Sequence, residues 1–305
     1  MKAVLLDADT LGQDIDLGPL KAAVNHLEIH GNTTPEQLAG RLAGMDIALT
    51  NKVPIPGSAM AGLKAICVMA TGMNNVDLAA AERLGIPVRN VVNYGTHSVA
   101  QHSLMLMLAL AARLPLYQCD LSAGAWQQSP FFCLMGHATT ELHGKTLVLV
   151  GAGTLGSSVA RLAEAFGMEV VFAARPGSKD DPRPSLEALL PKADLLSFHC
   201  PLTEHTHHLL NAERLALVKP GCLVVNCARG GIIDEAACLA ALEAGRLGGL
   251  AVDVLPQEPP RAGHPLLDAL AKPLNLIVTP HNAWISREAR QKIVELTADN
   301  ISALA

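Results

Sequence analysis

A chain of 305 residues is long for one hydrophobic core, so two compact units are expected. The formal charge is −5 and no run of five or more basic residues occurs, which excludes the clustered Lys and Arg of a nucleic-acid binder. Half of the residues are apolar, mostly small aliphatics with few aromatics, a composition suited to Val/Ile/Leu strands buried between helices, hence an α/β class.

The chain starts MKAVLLDADT, with acids directly after a short apolar strand, unlike a secretion signal. Together with an apolar stretch at Leu104–Ala112 too short for a bilayer, this predicts a cytoplasmic protein. Strand-like runs KAVLLD, LEIH, DIALT, LKAICVMA and IPVRNV alternate with helical TPEQLAGRLAG and DLAAAERLG, which reads as a small parallel α/β unit. Thr34 ahead of Pro35, Glu36 and Gln37 is a helix start.

Next, SVAQHSLMLMLALAARL is apolar around most of its circumference and reads as a buried interdomain helix. The segment from Ser122 to His143, with Trp126, Phe131 and Phe132, fits neither period and reads as a long excursion. A second βα series follows through KTLVLV, EVVFAA, ADLLSFH, CLVVNCA, LGGLAVDVL and NLIVTPH. The terminal SREARQKIVELTADNISAL is helical with no strand after it and is expected to fold back over the first unit. This gives a discontinuous substrate domain, 1–95 plus 285–305, and a Rossmann dinucleotide-binding domain, 96–284. Closure about residues 93–98 and 283–287 is expected of such a pair.

Seven cysteines (67, 119, 133, 200, 222, 227 and 238) show no CxxC pair and no zinc spacing, so they read as reduced packing residues and no metal is expected. Gly151, Gly153 and Gly156, with Thr154 and Leu155 between them, form GAGTLG between a strand and a helix, where backbone approaches a pyrophosphate. After the next strand, the acid that would bind adenosine ribose hydroxyls is replaced by Ala174 and Arg175. Arg175 with Ser178, and with Lys179 in reach, is expected to face a 2′-phosphate, favouring NADP(H) with NAD(H) possible; the alternative is Arg175 stacking on adenine with either cofactor.

Hydride transfer to a keto acid requires a cation for the carboxylate, a proton donor at the carbonyl oxygen and a group that tunes the donor. Arg229 in NCARGGIIDE, Glu258 in VDVLPQEPP and His281 in IVTPHNAW stand after three successive strands, at the carboxyl ends where open sheets bind ligands. Read singly, each has an ordinary alternative: a solvated loop cation, a turn carboxylate and a core histidine.

These motifs, with ATGMNNVD, GTHSVAQH, CPLTEHTHHLLN and TPHNAW, resemble the D-isomer-specific 2-hydroxyacid dehydrogenases over nearly the whole chain, in particular the glycerate dehydrogenase or hydroxypyruvate/glyoxylate reductase branch. The resemblance implies a flavodoxin-like substrate domain, a Rossmann cofactor domain and a homodimer. It assigns His281 as the acid/base, Glu258 as its partner favouring the imidazolium, and Arg229 as the grip on carboxylate and carbonyl. By the same resemblance Asp253 holds the nicotinamide carboxamide, Cys200, Pro201, Thr206, Cys227 and Ala228 line the cofactor, and the backbone at Ala70, Thr71 and Gly72, together with Arg229 and His281, meets the substrate. Departures are Ala70 where the family often has glycine, Asn74 and Gln101 where it has acids, and a chain that stops at Ala305 where relatives continue. Lys52 reads as a surface lysine, with a role toward an acidic substrate tail as the alternative. Phe132 reads as packing, or as reaching a neighbouring subunit. Competing readings are a formate- or phosphite-type dehydrogenase, against which Glu258 argues where the formate enzymes carry Gln, and a corepressor-like module that binds the dinucleotide only as a ligand.

Overall fold

The computed structural model describes residues 1–304; Ala305, the last residue of the expected substrate domain, lies outside them. The chain divides into two compact units, Met1–Gly95 with Trp284–Ala305, and Thr96–Ala283.

In the first unit five parallel strands, β1 (Lys2–Leu5), β2 (His26–Ile29), β3 (Ile47–Thr50), β4 (Ala65–Val68) and β5 (Val88–Asn90), pair in the order β2-β1-β3-β4-β5, that of flavodoxin-like sheets. Every residue of β3 and β4 is buried while the edge strands β2 and β5 keep exposed positions, as expected where helices cover both faces. Alternation along β1 and into the next residue sorts the core: Val4 and Leu6 face one cluster with Leu38 and Leu42, whereas Ala3 and Leu5 face the other. Leu38 and Leu42 lie on α2 (Pro35–Leu42), preceded by α1 (Gly18–Ala23) and followed by α3 (Leu78–Leu84). The Gln37 side chain accepts the Thr34 amide at 3.1 Å, so α2 starts at the expected place. The last helix of the chain, α11 (Arg287–Ser302), packs Ile293, Val294 and Ile301 on the Ala3/Leu5 face.

The second unit opens with α4 (Thr96–Ala111) and α5 (Leu114–Ser122). Its sheet comprises β6 (Thr146–Val150), β7 (Glu169–Phe172), β8 (Leu195–Phe198), β9 (Cys222–Asn226), β10 (Leu247–Val252) and β11 (Leu276–Val278), in the order β11-β10-β9-β8-β6-β7, all parallel. Between them run α6 (Thr154–Ala165), α7 (Leu186–Leu189), α8 (Ala212–Leu217), α9 (Glu235–Glu243) and α10 (Pro265–Asp268). Leu147 and Leu149 of β6 join α4 and α6 on one face, while Val148 and Val150 join Phe198 and the other helices on the opposite face. The strand order reverses between β6 and β8, which creates the switch point where open α/β sheets bind ligands. Beyond β7 the backbone bond Ala174 N to Pro184 O at 2.8 Å ties the following loop to the strand's end.

Helix α4 buries eight of its residues, and Leu106, Met107 and Leu110 pack within the second unit. The stretch after α5 exposes Trp126, Phe131, Phe132 and Met135. Among the described residues no single helix is long and apolar enough to cross a membrane. All seven cysteines are free; burial pushes Cys67, Cys222 and Cys227 up to about 12 and Cys200 to about 11, so these thiols stay protonated and unreactive.

Candidate active site

The three glycines of GAGTLG do three different things. Gly151 follows β6 with φ +112°, and a Cβ there would stand 2.3 Å from the His199 carbonyl oxygen, so only glycine lets the ends of β6 and β8 lie side by side. A Cβ on Gly156 would meet the Gly151 carbonyl oxygen at 1.9 Å, so the third glycine brings α6 against the loop. Gly153 caps α6 without a side chain, and its Cβ direction is open. Thr154 and Leu155 then begin a twelve-residue helix whose first amides have no side-chain cap. An open Cβ direction at an uncapped helix N-terminus fits a pyrophosphate, which would take those amides.

At the end of β7, Arg175 and Ser178 are exposed and share a turn closed by Ser178 N to Arg175 O at 3.0 Å. Sequence reasoning found no acid here, yet Asp181 accepts the Arg175 amide at 2.8 Å. Arg183 grips the same carboxylate in a fork, Nε to Oδ1 at 2.9 Å and Nη2 to Oδ2 at 2.5 Å, and holds Asp181 far below the usual carboxylate range. Asp181 therefore shapes the turn while its charge is matched by Arg183, leaving the exposed Arg175 and Lys179 as cations on this turn. After β8, the buried Thr206 hydroxyl donates to Pro201 O at 2.7 Å and accepts the Thr203 amide at 2.7 Å, closing the loop that follows Cys200. Cys227 and Ala228 are buried behind Arg229.

The candidate catalytic residues lie on the loops leaving the adjacent strands β9, β10 and β11. His281 Nδ1 meets Glu258 Oε2 at 2.6 Å. The carboxylate is an acceptor only, so the proton between them sits on Nδ1. Glu258 Oε1 accepts the Leu255 amide at 2.8 Å, which ties the carboxylate to the start of its own loop. Arg229 is exposed, with Nη1 on the Ala228 carbonyl at 2.6 Å. The buried Asn226 holds its turn, accepting Ala228 N at 3.0 Å and donating to Arg229 O at 2.9 Å. A Cβ on Gly230 would lie 2.0 Å from the Leu255 carbonyl carbon, so the Arg229 turn rests directly on the backbone that leads to Glu258. A continuous path thus joins the three residues: Arg229 to Gly230, against Leu255, to Glu258, to His281.

Asp253 is 1% exposed, and its carboxylate is engaged within the protein: Oδ1 takes the Thr279 hydroxyl at 2.5 Å and Asn282 N at 3.0 Å, and Oδ2 takes Ala283 N at 3.0 Å. It anchors the His281 loop, a role the sequence did not reveal. In the first unit the Ala70–Gly72 loop follows β4; Thr71 Oγ1 donates to Val91 O at 3.2 Å and Thr71 O accepts from Asn90 Nδ2 at 2.7 Å. Lys52 is exposed beside Asn51, and the amides of residues 51–53 converge on the buried carboxylate of Asp7 at 2.6–3.1 Å, a clamp that sequence reasoning also missed.

Fold and loop together define a dinucleotide-binding α/β protein that carries an imidazole–carboxylate pair on its strand-end loops. Residues 104–283 match the family described as D-isomer specific 2-hydroxyacid dehydrogenase, NAD binding domain. The chain is 40% identical to a glycerate dehydrogenase of Methylorubrum extorquens over 99% of its own length and 95% of the relative's, and 31% identical to a hydroxypyruvate reductase of Blautia hydrogenotrophica over 99% and 96%. The solved structure of the TT0316 protein from Thermus thermophilus superimposes with a TM-score of 0.79 at 34% identity, covering 100% of this chain and 96% of that one. The chain belongs to the D-isomer specific 2-hydroxyacid dehydrogenase family, and its cofactor is a nicotinamide dinucleotide.

Proposed function

We propose that the protein reduces a short 2-keto acid of the hydroxypyruvate or glyoxylate type, or oxidises D-glycerate in reverse, with NADP(H) preferred over NAD(H). The bound dinucleotide supplies or accepts the hydride. The guanidinium of Arg229 pairs with the substrate carboxylate and polarises the carbonyl. In reduction His281 Nε2 gives its proton to the carbonyl oxygen, and in oxidation it removes the hydroxyl proton. Glu258 holds the Nδ1 proton in their 2.6 Å contact, leaving Nε2 as the nitrogen that exchanges the substrate proton. Asp253 is assigned the nicotinamide carboxamide in addition to its anchoring bonds, with Cys200, Pro201, Thr206, Cys227 and Ala228 lining the cofactor. The backbone at Ala70, Thr71 and Gly72 offers amides to the carboxylate. The exposed Arg175 and Ser178 supply the preference for a 2′-phosphate.

The observation that carries this reading is the 2.6 Å contact between His281 Nδ1 and Glu258 Oε2, an imidazole oriented by a carboxylate at the carboxyl edge of the sheet. A cytoplasmic homodimer completes the proposal; the exposed aromatics Trp126, Phe131 and Phe132, the last 91% exposed, support the dimer. The test is consumption of NADPH or NADH with hydroxypyruvate and glyoxylate, followed by absorbance. His281→Ala is expected to abolish turnover while cofactor affinity stays near that of the parent protein. Loss of cofactor binding in that variant, or no turnover with any short keto acid, overturns the assignment.

A further inference from the structure

His102 lies on α4, just ahead of the apolar turns LMLMLALA, and its side chain is only 15% exposed. Its Nε2 lies 3.0 Å from Thr279 Oγ1 and 3.6 Å from Asp253 Oδ1. The Thr279 hydroxyl has one proton, and at 2.5 Å from a carboxylate oxygen that proton must point to Asp253. His102 Nε2 is therefore the donor to Thr279. The result is a directed relay, His102 Nε2–H to Thr279 Oγ1–H to Asp253 Oδ1, which ends on the carboxylate that also takes the amides of Asn282 and Ala283. His281 sits inside this clamp, its amide donating to Asp253 O at 2.7 Å, with a left-handed φ of +52°.

We propose that His102 is a positioning residue: acting through Thr279 and Asp253, it holds the backbone of the His281 loop in the conformation that presents the imidazole. The inference rests on the assignment of His281 as the acid/base. Burial, opposed by the charge of Asp253, lowers the His102 pKa below its ordinary 6.5, so near neutral pH the ring is uncharged and carries one N–H. The relay places that hydrogen on Nε2. A leucine at the same position would fill the space and donate nothing, whereas a glutamine amide can return a donor close to Nε2.

The experiment compares His102→Leu, His102→Gln, Thr279→Val and the double variant His102→Leu/Thr279→Val. Steady-state kinetics, cofactor binding, melting temperature and amide hydrogen exchange over residues 279–283 are measured for each. For His102→Leu, kcat should fall about tenfold or more, as misplacement of a reacting group does, with KM for the keto acid and cofactor affinity little changed. His102→Gln should recover most of the loss. Thr279→Val should match His102→Leu, and the double variant should be no worse than either, because all three break one chain. Exchange at Asn282 and Ala283 should accelerate in the Leu and Val variants but not in the Gln variant. Additive losses, a Gln variant no better than Leu, or unchanged exchange would overturn the relay. If the parent protein turned over no keto acid, the functional proposal would fail while the exchange comparison still decided the relay. If His102→Leu failed to fold, Thr279→Val and His102→Gln would test the same bonds.

Discussion

Replacing Gly230 with alanine tests whether the Arg229 turn and the Glu258 loop act as one unit. The added Cβ would lie 2.0 Å from the Leu255 carbonyl carbon, 2.2 Å from Pro256 N and 2.3 Å from Leu255 O. All three are backbone atoms, so no side chain can swing aside. Carbon contacts settle near 3.5–4.0 Å, so the two loops must separate by about 1 Å or more. Overpacking of this kind costs about 1–3 kcal/mol of stability. The larger effect is on geometry. Leu255 N orients Glu258, which orients His281, so the shift separates Arg229 from the imidazole and its carboxylate together. A displacement near 1 Å at reacting groups lowers turnover about a hundredfold. Steady-state kinetics with hydroxypyruvate should show kcat/KM down by that order. A variant with parental kcat/KM, or one whose loss is accounted for by the unfolded fraction, would refute the reasoning.

Arg175→Ala should weaken NADPH by about 1–3 kcal/mol, the range for a hydrogen bond to a charged group, and NADH much less; equal weakening in titrations with both cofactors would remove the proposed 2′-phosphate contact. His199 carries a second prediction. Burial pushes its imidazole down from 6.5 to about 4, and Nδ1 has no partner. The unfolded chain takes up a proton near pH 6.5 and the folded chain only near pH 4, so this contribution to stability is intact above 6.5 and is lost as the pH falls toward 4. The full difference is about 3 kcal/mol, from roughly 1.4 kcal/mol per pH unit, and less where the ring edge meets solvent. Urea unfolding at several pH values should show this slope in the parent protein and a shallower one in His199→Gln; identical slopes would contradict it.

The central strands were readable because parallel strands covered on both faces leave nearly continuous apolar runs, as in TLVLV and CLVVN. GAGTLG was readable because its chemistry is local: strand, turn and helix follow one another within a few residues. The residues that orient the site were not, since their partners are distant in the chain. His102 and Thr279 are 177 positions apart, and nothing in QHSLM indicates which hydroxyl the ring will meet. Asp181 was overlooked for a different reason: it stands beyond the strand end where a ribose-binding acid is sought, and only the fold returns it to the Arg175 amide. Gly230 reads as one more loop glycine until the backbone of Leu255 is seen beside it.

The conformation of His281 shows why these distant partners matter to chemistry. A non-glycine residue at φ +52° is held at a cost of about 1–3 kcal/mol, and it persists only where the surroundings over-determine it. Here they do: Asp253 O takes the His281 amide, and the Asp253 carboxylate takes the next two amides, Asn282 and Ala283. That carboxylate is almost wholly withdrawn from water, so each of its bonds is hard to replace, and the Thr279 hydroxyl supplies one more. The imidazole is thus fixed at both ends, by Glu258 at Nδ1 and by the Asp253 clamp at the backbone. If His281 transfers the proton as proposed, these bonds limit how far Nε2 can stray from the substrate oxygen, and they form in the folded protein without a ligand.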